Sequence, residues 1–285
     1  MKLNFLGLTD SSNPRVALVP LPFEFTTSWL KGTKFAPLEI LKVSPNLEFF
    51  DEEDLITPHE VLGFYTEEII EFSPDFERAL AQVEELAKKY AEKSFFAIYI
   101  GGEHTVSFPI LKVYKKYYSC LKILHLDAHL DQREEYLGSK LNHATVMRRV
   151  KELNLPVLSV GIRSASEEEK EIMLNERELI ILAKDFIKDE EASLKKVSEF
   201  LGEGPSYLSL DVDVFDPSQA PGVGTPEPGG LSWYQVLEIF KLFAKANPVA
   251  MDIVEVRPMP TLPITEYLVA RLILKISVYL ATSLS

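Results

Sequence analysis

The stretch LHLDAHLDQREE, residues 124–135, starts as an apolar run and ends as a crowd of charges. Ile123, Leu124 and Leu126 read as a short buried strand, and His125, Asp127, His129 and Asp131 then take every second position. In an extended chain that period puts all four side chains on one face. Two of the chain's five histidines lie in these few residues. Closely spaced carboxylates repel unless protons, cationic side chains or metal ions neutralise them. The end of this strand therefore requires positive charge.

Comparable apolar runs predict strands near residues 15–20, 46–50, 95–100, 121–127, 156–161, 178–182, 206–212 and 249–255. Between most of them lie segments with helical spacing. In FERALAQVEELAKKYAEK, for example, Leu80, Val83, Leu86 and Tyr90 share one face, and the last helix falls in ITEYLVARLILKISVYLATSL. This alternation predicts an α/β fold, a mainly parallel sheet of about eight strands covered by helices on both sides. Four predicted strands end in polar motifs: IYIGGEH, LHLDAHLD, LSLDVDVFD and MDIVEVRP. Parallel α/β sheets bind ligands beyond the carboxyl ends of their strands, so these motifs should meet in space.

A chain of 285 residues with 46% hydrophobic side chains can fill one continuous core, and a single domain over residues 1–285 is expected. No apolar stretch is long and charge-free enough to span a bilayer, and MKLNFLGLTDSSNPR lacks a signal-peptide core with a small-residue cleavage site. A cytoplasmic location and no membrane partner are expected. Cys120 is the only cysteine, which rules out an intrachain disulfide and thiolate-rich zinc binding. Oxygen and imidazole must hold any metal. The net charge of −13 weighs against nucleic-acid binding and suits a cationic substrate. FFDEEDLITPHE reads as a surface connection, and SASEEEKE, after SVGIR, as a solvated helix start with no site.

His104, Asp127, His129, Asp131, Asp211 and Asp213 together offer two imidazoles and four carboxylates. A mononuclear zinc site uses three or four protein ligands, whereas a bridging carboxylate lets two ions share donors. The set favours two divalent ions. Its hard, oxygen-rich character suits Mn²⁺ and is compatible with Fe²⁺, Co²⁺, Ni²⁺ or Zn²⁺. A buried polar network without metal would leave four carboxylates short of cations. His125 shares the ligand face but reads as a hydrogen-bonded core histidine, because periodicity specifies a face and not coordination.

Taken in order, PLPFEFTTSWLKGTKFAPLEI, GGEH, DAHLD, SLDVDVFDPSQAPGVGTPEPGG and DIVEVRP resemble the ureohydrolase family of arginases and agmatinases, over nearly the whole chain. The resemblance implies the arginase-like three-layer α/β/α fold and two Mn²⁺ ions per subunit. It assigns His104, Asp127, Asp131 and Asp211 to one ion, and Asp127, His129, Asp211 and Asp213 to the other. It implies an enzyme that cleaves a guanidinium group with a bridging water activated to hydroxide. Asp131 would relay a proton to the departing amine, His143 in KLNHATVMRR would assist proton movement, and Glu255 in DIVEVRP would pair with the substrate guanidinium.

Within that family the chain looks most like an agmatinase, hydrolysing agmatine to putrescine and urea in polyamine biosynthesis. N1-aminopropylagmatine, arginine and guanidinobutyrate stay open as substrates, and a noncatalytic guanidine-binding protein is the remaining alternative. Arg133 would attract a carboxylate tail, whereas Glu134 and Glu135 would favour a cationic one. Zinc-dependent deacetylases share a related architecture, but their single-zinc site does not need the full set. The family also implies a homo-oligomer, trimer or hexamer. Departures from the family pattern cluster near His143, where Leu141-Asn142 precedes it and Ala144 stands in place of a glycine, and at Ala36 before Pro37.

Overall fold

A computed structural model describes residues 2–93 and 95–284. Its strands are β1 Val16–Pro20, β2 Phe64–Thr66, β3 Phe96–Ile100, β4 Lys122–Leu126, β5 Val157–Ile162, β6 Ile180–Leu182, β7 Ser206–Asp211 and β8 Pro248–Val254. They form one sheet in the order β2-β1-β3-β8-β7-β4-β5-β6. Every pairing is parallel. The helices are α1 Ala36–Val43, α2 Pro58–Leu62, α3 Phe76–Ala91, α4 Ser107–Tyr117, α5 Val146–Glu152, α6 Lys170–Asn175, α7 Ala183–Lys188, α8 Glu190–Leu201, α9 Trp233–Lys245 and α10 Ile264–Thr282.

Strands β1, β3, β5 and β7 are buried along their whole length, as parallel strands with both faces covered must be. Alternate residues separate into two cores. Leu18, Leu124 and Leu126 pack with α1, α7, α8, α9 and α10, and Ala17, Val19 and Ile123 pack with α3, α4 and α5. The result is the expected α/β/α sandwich. In α3, Leu80, Val83 and Tyr90 are buried as its spacing predicts, with Leu86 packed at the margin. Helix α10 is buried nearly all round, yet no helix among the described residues is long and apolar enough to cross a membrane.

Two expectations are corrected. Residues 46–50 form no strand: α1 runs on into a 3-10 turn over Ser44–Asn46, with Pro45 inside it. Leu47 alone of LEFF is fully buried, and Phe50 is exposed. The strand beside β1 is instead the three-residue β2. The acidic FFDEEDLITPHE segment is also more than a surface connection, since Asp51 is buried and lies 2.7 Å from Lys275 of α10.

Candidate metal centre and substrate pocket

The carboxyl ends of four adjacent strands, β3, β8, β7 and β4, carry the chemistry. His104 opens a 3-10 turn after β3, Asp127 follows β4, Asp211 ends β7, Asp213 sits in the turn after it, and Glu255 follows β8. The chain fits there because of Gly102: a Cβ on it would stand 1.9 Å from the carbonyl oxygen of Phe23. Asp131 and Glu255 hold φ of 53° and 63°, a left-handed conformation uncommon for residues with side chains. All eight residues singled out in the sequence come to this one end. His129, Asp131, His143, Asp211, Asp213 and Glu255 line a cleft, with His104 and Asp127 buried behind it.

His104 Nδ1 lies 3.0 Å from Asp131 Oδ2, 3.3 Å from Asp127 Oδ2 and 3.5 Å from Asp211 Oδ2. None of these oxygens is placed to hydrogen-bond it, so Nδ1 is a buried polar atom without a partner among the described residues. The other ring nitrogen explains why. His104 Nε2 is 3.0 Å from Ser209 Oγ, and Ser209 donates at 2.8 Å to Asp252. The serine proton is thus committed, and Nε2 is the nitrogen that carries hydrogen. A neutral His104 would aim a bare lone pair at three carboxylates, a repulsion relieved either by a proton, which those carboxylates favour well above the ordinary imidazole range, or by a metal cation. The second cluster repeats the pattern, with His129 Nδ1 2.9 Å from Asp213 Oδ2 and 3.5 Å from Asp127 Oδ1. Two donors at right angles on an ion about 2.1 Å from each stand about 3 Å apart. These residues fit a pair of metal ions.

The electrostatics agree. Burial lowers the imidazolium pKa of His129, but Asp213 and Asp127 outweigh it and push the value up to about 12. Burial likewise raises Asp131 to about 6, aided by the Asp127 charge, and holds Asp211 well above the ordinary carboxylate range. Without metal the cluster must gather protons instead. His125 lies within 4.8 Å of the donors of His104 and Asp127, but both its ring nitrogens are in use. Nδ1 meets Ser159 Oγ at 3.0 Å and Nε2 meets Asp127 Oδ2 at 2.8 Å. It is the core histidine expected, and it orients Asp127.

Glu255 is half-buried in the cleft wall, and its desolvation there pushes its pKa up to about 8. Its Oε1 accepts the N–H of His104 at 2.6 Å. Arg257, an obvious cation for it, instead donates to the carbonyl of Lys31. His143 begins a 3-10 turn capped by Asn142, whose Oδ1 accepts the N–H of Ala144 at 3.0 Å. The unusual residues beside His143 are therefore the ones that build its turn. Its Nδ1 is 3.2 Å from Thr26 Oγ1, and Thr26 donates at 2.8 Å to the buried carboxylate of Glu103. Burial and the nearby His104 and His129 charges lower the His143 pKa to about 4.

A model described as Arginase family matches residues 14–278. The chain belongs to the arginase family. It is 32% identical over 280 residues to the N(1)-aminopropylagmatine ureohydrolase of Synechocystis sp., covering 96% of this chain and 91% of that protein. To the agmatinase of Bacillus cereus it is 36% identical over 253 residues, covering 86% and 84%. The crystal structure of agmatine ureohydrolase of Thermoplasma volcanium matches with a TM-score of 0.83 at 29% identity, covering 94% of this chain and 90% of that one. Arginase-family members are metal-dependent hydrolases of guanidino substrates, and this arginase-family chain carries candidate metal-binding residues.

Several pocket residues were not singled out. Ser164, Ser166 and Glu169 line the cleft, so the segment read as a solvated helix start forms a wall. The carboxylate of Glu169 accepts from the backbone of Gln132 and Ser166, and its burial is the reason the composition misleads. Glu103 fixes another wall by accepting the N–H groups of Phe25, Thr26 and Thr27 at 2.8, 2.7 and 3.0 Å. Arg133 lines the cleft as expected, stacked 4.7 Å over Tyr136. Glu134 does not: it pairs with Arg148 at 2.9 Å and, more loosely, with Lys140 and Arg149, and the cleft lining does not include it.

Proposed function

We propose that the chain is an agmatinase, which breaks the carbon–nitrogen bond between the guanidinium carbon and the butylamine arm of agmatine, giving urea and putrescine. The observation that carries this reading is Glu255, a half-buried carboxylate facing the cleft beside the two histidine–carboxylate clusters, with no basic side chain paired to it among the described residues. A planar guanidinium donates two parallel hydrogen bonds to such a carboxylate, which fixes its carbon over the clusters.

His104, Asp127, Asp131 and Asp211 would hold one Mn²⁺, and Asp127, His129, Asp211 and Asp213 the other. Such a pair supplies Lewis acidity and a water activated at neutral pH. Asp131 borders the cleft and is the group to carry a proton to the leaving amine. His143, held neutral with its Nδ1–H on Thr26, offers Nε2 for proton movement at the rim. The eight strands form one sheet, which supports residues 1–285 as one catalytic domain. Cytoplasmic placement and a trimer or hexamer are part of the same proposal, the latter to be read from sedimentation velocity.

A second substrate is favoured by one comparison. The Synechocystis relative, matched over 96% of this chain, is named for N(1)-aminopropylagmatine, and Trp29 at the cleft is 65% exposed, leaving the mouth open to a longer tail. The deciding experiment is urea release by Mn²⁺-loaded protein from agmatine, N1-aminopropylagmatine, arginine and guanidinobutyrate, with metal counted on the same sample. Highest kcat/KM on agmatine supports the proposal, and a preference for another guanidine moves the substrate. No urea from any of them with two ions bound defeats it. Asp213→Asn should cut the affinity for one ion by roughly tenfold or more, judged from the usual sensitivity of metal sites, while leaving the other bound.

A further inference from the structure

Arg163, the residue after β5, touches no expected ligand side chain, yet it joins the segments that carry half of them. Its guanidinium is surrounded by backbone carbonyls. Nη2 donates to Asp213 at 2.6 Å, Glu227 at 2.7 Å and Phe215 at 3.2 Å. Nη1 donates to Gly161 at 3.2 Å and Val214 at 3.4 Å, and Nε to Glu227 and Pro228, both at 3.2 Å. None of these acceptors is a carboxylate. The backbone N–H of Arg163 also donates at 2.8 Å to the carbonyl of Ala128, between Asp127 and His129.

We propose that Arg163 is the positioning residue for the His129–Asp213 ion, an inference that rests on the dinuclear reading above. Only a planar fork with five donors can serve carbonyls on three segments at once. Through the Asp213 carbonyl it fixes the residue whose Oδ2 lies 2.9 Å from His129 Nδ1. Through the Glu227 carbonyl it fixes a loop whose carboxylate lies 4.0 Å from His129 Nε2. Outer groups that orient metal-binding histidines and carboxylates in this way change metal affinity by roughly 10–100-fold. The His104 side is held separately, by Ser209 on the imidazole and by the N–H groups of Met147 and Arg148 on the Asp131 carbonyl. Loss of Arg163 therefore acts on one ion and spares the other.

The test is Mn²⁺ binding to the full-length parent, Arg163→Lys and Arg163→Met, followed by calorimetry and by paramagnetic resonance of free Mn²⁺. Arg163→Lys keeps the charge and part of the carbonyl contact, so it guards against loss of folding in Arg163→Met. We expect one site to keep its parental affinity in both variants while the other weakens about tenfold in Arg163→Lys and further in Arg163→Met. The kcat should recover at saturating Mn²⁺, with KM for the guanidine substrate unchanged. Two unaltered sites, or equal weakening of both, overturn the inference. A parent that binds fewer than two ions instead defeats the dinuclear reading, so the two failures are distinguishable.

Discussion

At the scale of single residues, the threonine beside His143 has its proton already committed. Thr26 donates to Glu103, so toward His143 it can only accept. That leaves Nδ1 protonated and Nε2 an acceptor, 3.4 Å from Ser28 Oγ, a tautomer set by a residue 117 positions away in the chain. Thr26→Val should lower kcat by roughly tenfold through this lost orientation, with metal content unchanged and Thr26→Ser restoring the rate. Equal rates in Thr26→Val and the parent would remove Thr26 from the chemistry. His143→Ala should cost about 10²- to 10⁴-fold in kcat, the range for a positioned acid–base group, again with both ions retained. Glu255→Gln keeps an acceptor for the His104 N–H but removes the charge, and kcat/KM for agmatine should fall by roughly 100-fold, read by steady-state kinetics. The histidines and carboxylates of the clusters were legible because each follows its strand in a local motif. Glu103, Thr26, Arg163 and Glu169 were not, since their partners lie on other segments and no spacing along the chain announces a hydrogen bond across the fold.

At the scale of elements, the long apolar runs were legible and the short ones misleading. Five to seven residues such as VALVP, FAIYI and PVAMDIV carry enough buried side chains to mark β1, β3 and β8. The three residues of β2 show no period, and their pairing to β1 comes from register alone. LEFF had the right composition in the wrong place, because Pro45 and the preceding turn set its path. Strand β5 holds a feature no run of residues reveals. Gly161 has φ of 95°, sits where the register with β6 shifts, and leaves only 2.6 Å between a would-be Cβ and Val214 Cγ2. Gly161→Ala should destabilise the fold by roughly 2–4 kcal/mol, the sum of backbone strain and overpacking, seen as a lower denaturant midpoint. An unchanged midpoint would mean that the turn after β7 yields freely.

At the scale of the whole molecule, the clusters couple stability to pH. Burial and neighbouring charge raise Glu255 to about 8 and Asp211 well above its usual range, and carboxylates outweigh burial to hold His129 up at about 12. Each of these groups binds more protons folded than unfolded. Its stabilisation is complete below the unfolded pKa, near 4 for the acids and about 6.5 for histidine, and is lost as pH rises through the folded value. His143, lowered to about 4, acts in the opposite sense, and its contribution fades above about pH 6.5 as the unfolded histidine also gives up its proton. The Tm of metal-free protein should therefore fall between about pH 6.5 and 8, and Mn²⁺ should flatten that slope by replacing the protons. A metal-free Tm that holds steady over this window would contradict the reading of the clusters. The strand order has a consequence for how the protein is made. β8 is the last strand synthesised but lies between β3 and β7, and Glu255 follows it. While a ribosome is still adding the residues of β8, the earlier strands expose two raw edges with nothing to bridge them. A nascent chain that has not yet added β8 lacks Glu255 and leaves β3 and β7 unjoined, so the cleft is completed only once Val254 and Glu255 have been made.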